Sequence, residues 1–140
     1  MEDAVAKYRQ AVAAYKFPRC EPIFCAEGID SREQNATLFR PAGPIREHHR
    51  DMAEFWASAL FSYLEDRLAD IRFKEIGEGA DYRIVSDNEA NQLIAGFSFQ
   101  PDYIAVPADP QACVRVTCPR QLKALIGSDE SGFFTIFWAS

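Results

Sequence analysis

Phe133-Phe134-Thr135-Ile136-Phe137-Trp138-Ala139-Ser140 is the stretch on which the fold turns. In a strand, successive side chains point to opposite faces, and here both alternating sets are apolar, so neither face suits water. Such a strand belongs at the centre of a sheet. One of its faces is expected to take a helix, and the other the N-terminal helix, an irregular segment or a second subunit.

The helix that fits the first of these faces is read over residues 44–70, with Gly43 as a cap and Pro44 at the first helical position. At about 100° per residue, Met52, Trp56, Ala59, Leu60 and Tyr63 gather within about 60° of Ile45, while Glu47, Arg50, Asp51, Glu54, Ser58 and Glu65 take the opposite side. The spacing predicts one core face and one solvent face. Phe61 departs from it, projecting among the charged residues, where an aromatic ring needs a cover from this chain or from a partner.

Upstream, Val5, Tyr8, Val12 and Tyr15 recur at three- and four-residue steps, which predicts an amphipathic helix over 2–16 that Pro18 stops. Residues 18–44 carry four prolines, two glycines and no sustained period. They read as an irregular wrapping segment with short strands at 23–26 and 37–39. Downstream the period becomes two. Residues 71–76 and 82–86 flank a glycine-containing loop as a hairpin, 93–99 is a third strand, 103–106 a short fourth and 112–118 a fifth. A short helix over 119–127 follows, from the stripe of Leu122, Leu125 and Ile126.

These elements predict a single α+β domain over 1–140. Two N-terminal helices are followed by a curled antiparallel β-meander of four to six strands packed on the long second helix, with a short helix before the last strand. A parallel sheet is disfavoured, because the first turns are too short for crossover helices. The order of elements resembles that of cone-shaped nuclear-transport-factor-like and cystatin-like folds and of small acidic secretion chaperones; it rests on no motif and transfers no residue.

Composition narrows the function. The chain carries 15 Lys and Arg against 21 Asp and Glu, a formal charge of −6, and no basic stripe is visible along it. That disfavours nucleic acid and anionic membranes as partners, since both select for cationic surfaces. No apolar run nears the roughly 20 residues that cross a bilayer. The start Met1-Glu2-Asp3-Ala4 lacks the basic opening of a secretory signal, which predicts a cytoplasmic protein.

His48 and His49 beside Asp51 are the candidates for catalysis, but adjacent helical residues diverge by about 100°, so the two imidazoles do not converge on one ion. Cys20 with Cys25 and Cys113 with Cys118 share a spacing at the edge of what structural zinc uses, and on a strand the second pair would point to opposite faces. Buried apolar cysteines are the simpler reading. Gly77 and Gly79 read as turn residues, and no nucleophile elbow is present. No catalytic residue, metal or cofactor is assigned.

The expected function is a non-catalytic acidic protein-interaction module of adaptor, chaperone or inhibitor type. Glu47, Asp51, Glu54 and Glu65 would form its acidic face, Phe61 its apolar anchor, and a basic protein or a second copy in a homodimer its partner. The alternative is a small-molecule-binding protein or small enzyme, with an aromatic pocket of Trp56, Tyr63, Phe97 and Trp138 between the 44–70 helix and the sheet and His49 as its polar group.

Overall fold

The structure, a computed structural model, describes residues 3–15, 23–41, 51–64, 69–99 and 104–139. In chain order the elements are α1 (Asp3–Ala14), β1 (Ile23–Ile29), β2 (Asn35–Pro41), α2 (Met52–Leu64), α3 (Ala69–Glu78), β3 (Asp81–Ile84), α4 (Asp87–Ala95), β4 (Ser98–Phe99), β5 (Gln111–Thr117), β6 (Leu122–Asp129) and β7 (Gly132–Ala139). The α+β class and the antiparallel sheet stand. The sheet has seven strands rather than four to six, in the order β3-β5-β6-β7-β2-β1-β4, and every pairing is antiparallel. It is open, with β3 and β4 at its edges, so it encloses no cone.

β7 lies inside the sheet between β6 and β2, with apolar cover on both faces. Phe137 points into a core shared with α1, α2 and α3, whereas Phe134, Ile136 and Trp138 point into a second core roofed by α4 and by Ile104. The β6–β7 hairpin closes through Glu130 and Ser131, with Gly132 at φ 114° where a side chain would be strained.

Several expectations about order are corrected. The segment 18–44 is not irregular wrapping: β1 and β2 form a hairpin inside it, and β2 pairs with β7 in the middle of the sheet. Its prolines flank the strands or end them, so the ladder between is uninterrupted. Two strands therefore precede the second helix. The expected 44–70 helix does not run unbroken. The Asp51 side chain accepts the Glu54 N–H at 2.9 Å, an N-cap that starts α2 at Met52, and a separate helix begins at Ala69.

Residues 71–76 are helical in α3, not the first arm of a hairpin; a short apolar run is compatible with either period, and packing decided it. Likewise 93–99 is not one strand. Ser86 caps α4 by accepting the Glu89 N–H at 3.1 Å, a Ser-x-x-Glu start, and only Ser98–Phe99 remains extended. Tyr103 lies outside the described residues, and 104–106 is not a strand. The expected helix over 119–127 shrinks to a single 3-10 turn at Pro119–Gln121, after which β6 pairs along its length with β7.

α2 has no solvent face in its middle. Phe55, Trp56, Ala57, Ser58, Ala59 and Leu60 are all buried, because α1 and α3 cover the side turned away from the sheet. Close packing of α1 against α3 depends on Gly77. A Cβ there would stand 2.5 Å from Val12 Cγ1 and 2.7 Å from Cγ2. Beside it, buried Trp56 donates to the Tyr82 hydroxyl at 3.1 Å, and that hydroxyl donates to the Gly77 carbonyl at 2.6 Å.

Gly77→Ala is expected to cost roughly 1–3 kcal/mol by overpacking against Val12. In a thermal-melt cycle the Gly77→Ala, Val12→Ala double variant should lose less than the sum of the single losses. An unchanged melting temperature for Gly77→Ala would contradict the close approach.

Candidate functional site

The residues singled out on the helix are now placed. Asp51 is the exposed N-cap of α2, and Glu54 is half-buried in the same turn. Phe61 is half-buried, and its cover is intramolecular: the ring lies 5.5 Å from Tyr15 and 5.9 Å from Phe73, both on the helical layer. Glu47, Glu65, His48 and His49 lie outside the described residues. The expected acidic face is thus represented by two carboxylates at one helix start, without a free aromatic anchor.

The expected aromatic pocket is divided by the sheet. Trp56 and Tyr63 stack on Phe137 at 5.7 and 4.5 Å on the helical side, and Trp56 is 0% exposed. Phe97 and Trp138 meet at 5.1 Å on the opposite side. Side chains fill the space between α2 and the sheet.

Phe97 and Trp138 instead line an open cleft of about 250 Å³ on the α4 side. Its walls come from the β1–β2 turn (Asp30, Ser31, Arg32), the end of α4 (Gln92, Leu93, Gly96) and Arg115 of β5. The turn is built by Asp30, whose side chain accepts the backbone N–H groups of Arg32 at 2.8 Å and Gln34 at 2.9 Å. Those bonds, the one to Gln34 foremost, with the nearby Arg32 charge, hold the Asp30 carboxyl below its usual range. The Arg32 guanidinium stays mostly exposed, 3.8 Å from Asp30.

Strand register assembles the basic charge here. Arg83 on β3 sits directly opposite Arg115 on β5, and Lys123 on β6 is paired with Thr117 and Trp138, on the same face of the sheet. Like charges directly opposite each other destabilise a sheet. Arg83 is neutralised by Glu89 at 3.0 Å, but neither Arg115 nor Lys123 has an ion-pair partner among the described residues. The register thus brings Arg83, Arg115 and Lys123 onto one face together with the acid Asp81, opposite Thr117; these residues lie far apart in the chain and left no local stripe to see.

The other charged cluster is structural. Arg40 and Asp129 form a bidentate pair, both bonds 2.9 Å, with side chains 5% and 4% exposed. Arg40 also donates to the Ala105 carbonyl at 2.8 Å and lies 5.6 Å from the Phe134 ring, while Asp129 accepts the N–H groups of Ala108 and Ser131. The pair ties β2 to the β6–β7 turn and to the chain crossing the second core. Burial pushes the Asp129 carboxyl upward, but the guanidinium and the two N–H donors outweigh it and hold it below the ordinary value.

The cysteines divide as the strand geometry predicts, Cys113 in the second core and Cys118 in the first, on opposite sides of the sheet. Burial pushes both thiols up to about 12. Cys25 is exposed, not buried as expected; desolvation followed by the Glu27 carboxylate raises it to about 11, so little of it is thiolate at neutral pH. Cys20 lies outside the described residues. Among the described residues no group of three or more His, Cys, Asp or Glu is placed to hold a metal ion, and no helix is long and apolar enough to cross a membrane.

Because the folded-state value of Asp129 lies below its ordinary 3.8, its contribution is fully present above that value and is lost as pH falls through the lower one. Thermal melts between neutral and strongly acidic pH should show a decline that Asp129→Asn flattens. Arg40→Ala, which strands a buried carboxylate, should cost roughly 3–5 kcal/mol at neutral pH. The chain matches no protein family, and comparisons with curated proteins and with solved structures find no match.

Proposed function

We propose that this protein is a non-catalytic protein-interaction module whose cleft, between the β1–β2 turn and α4, receives an acidic segment of a partner protein. The single observation that carries the reading is Arg115: a half-buried guanidinium, opposite a second arginine, without a counter-ion among the described residues, in a cleft walled by Phe97 and Trp138. A carboxylate entering there relieves the repulsion between the arginines and forms charge-assisted hydrogen bonds, while an aromatic or apolar neighbour lies on the rings. The favoured partner charge is opposite to the one the acidic composition suggested. A second copy of the chain is a further partner in this reading.

A small-molecule ligand is the second reading. It moves from the filled space beneath α2 to this same cleft, whose volume suits a small aromatic carboxylate. Phe97 and Trp138 remain as its lining; Trp56 and Tyr63 do not.

The two are separated by titrating the protein with a peptide containing Glu and Phe and, separately, with benzoate, following the fluorescence of Trp138. The peptide should saturate the wild type in a salt-sensitive way, and Arg115→Glu should weaken it at least about tenfold, in line with a lost charged hydrogen bond. The same substitution places opposite charges across β3 and β5, so the melting temperature should hold or rise as binding falls. A response to benzoate alone supports the small-molecule reading. A wild type unmoved by either probe, or an Arg115→Glu variant that binds the peptide as well as the wild type, overturns the proposal.

A further inference from the structure

β3 is an edge strand with an unused side. Val85 donates its N–H to the Cys113 carbonyl at 3.1 Å, in the register that pairs Ile84 with Val114 and Arg83 with Arg115. Antiparallel alternation then turns the backbone groups of Asp81 and Arg83 toward β5 and those of Tyr82 and Ile84 away from it. Among the described residues no backbone partner meets them there. Arg9 holds the Ala80 carbonyl at 2.7 Å and so caps the edge at its start. Beyond that cap the short strand carries no proline, its two charges, Asp81 and Arg83, are of opposite sign, and Ile84 is 58% exposed. The strand is also rigid, anchored through the Tyr82 hydroxyl to Trp56 and Gly77.

We propose that β3 is the surface on which two copies of this chain pair, antiparallel, about a two-fold axis at Tyr82. Register decides the occupant. Centred on Tyr82, the pairing exchanges two backbone bonds between Tyr82 and its mate and sets Asp81 opposite the mate's Arg83 on both sides of the axis. Those flanking pairs are of the non-hydrogen-bonded kind, where side chains stand closest. Centred on Arg83, the pairing would oppose two arginines. Centred on Ile84, it would set Arg83 opposite the mate's Val85, beyond the strand's end, and form no charge pair. Only the first register is charge-complementary, and it is complementary to itself, which selects a second copy over an unrelated strand. Ile84 then lies diagonally from the mate's Tyr82 on the helical side. This inference names the surface for the self-association in the proposed function, and it does not require the cleft.

The test uses Asp81→Arg and Arg83→Asp as separate full-length proteins in sedimentation velocity. The wild type should be a dimer that dissociates on dilution. Each variant alone faces like charges across the axis and should sediment as a monomer. A one-to-one mixture opposes two arginines of one chain to two aspartates of the other and should restore the dimer. A wild type that is monomeric at millimolar concentration, variants that remain dimeric, or a mixture that stays monomeric each overturn the inference. If a variant does not fold, hydrogen exchange on the wild type decides: protection of the Tyr82 amide that grows with protein concentration supports it, and concentration-independent exchange of that amide overturns it. A monomeric wild type that still binds the Glu- and Phe-containing peptide rejects this pairing and leaves the cleft reading standing.

Discussion

β7 has to be dry on both sides, and most of the structure follows from that requirement. Burying a large apolar side chain is worth about 1.5–3 kcal/mol, and Phe134, Ile136 and Phe137 are fully buried on alternating faces. One helical layer satisfies only one face. The chain therefore places α1, α2 and α3 beneath the sheet and α4 with the crossing segment above it, and it inserts β7 between β6 and β2 so that no edge of it meets water. Arg40 and Asp129 secure that upper layer, because their pair binds the crossing segment through Ala105 and Ala108.

The same requirement explains α2. It packs Trp56 and Tyr63 on Phe137 below the sheet, and its other side is itself too apolar for water. α1 and α3 close over that side, brought together where Gly77 lets Val12 approach. Phe61 then finds its cover in Tyr15 and Phe73. Two hydroxyls, on Ser58 and Thr135, are buried in this layer without a hydrogen-bond partner among the described residues, a cost tolerated for close packing.

What the sequence disclosed was whatever depended on local pattern alone. The doubly apolar β7, the amphipathic α1 and the alternation of β5 are legible because each repeats over a full element. The short windows failed. Residues 122–126 carry Leu122, Leu125 and Ile126 at helical steps, yet pairing with β7 across a tight turn made them a strand. Residues 87–95 form a helix that Ser86 caps by accepting the Glu89 N–H, a signal present in the sequence and outweighed there by the alternation that follows. Phe61 was rightly seen to need a cover, but a helical wheel has no means of saying which of two later-packed elements supplies it. The cleft was less legible still. Its two basic walls, Arg32 and Arg115, come from separate elements, and only strand register puts Arg83 against Arg115.

Net charge is a poor guide to the cleft for a related reason. Acids in this chain stand where backbone N–H groups need them: Asp51 at the start of α2, Asp87 and Glu89 in the first turn of α4, Asp30 and Asp129 in turns. Such carboxylates serve the fold and are poorly placed to act as a recognition face. Bases are fewer, but two of them, Arg115 and Lys123, are left on one face of the sheet without an ion-pair partner among the described residues. The sign that matters to a partner is set by the charges the fold leaves uncompensated. At the proposed cleft the charge without an ion pair among the described residues is that of Arg115, positive in a protein of charge −6, and it lies beside Trp138 and Phe97, where in the proposed reading an incoming anion loses water on arrival and gains most from the guanidinium it meets.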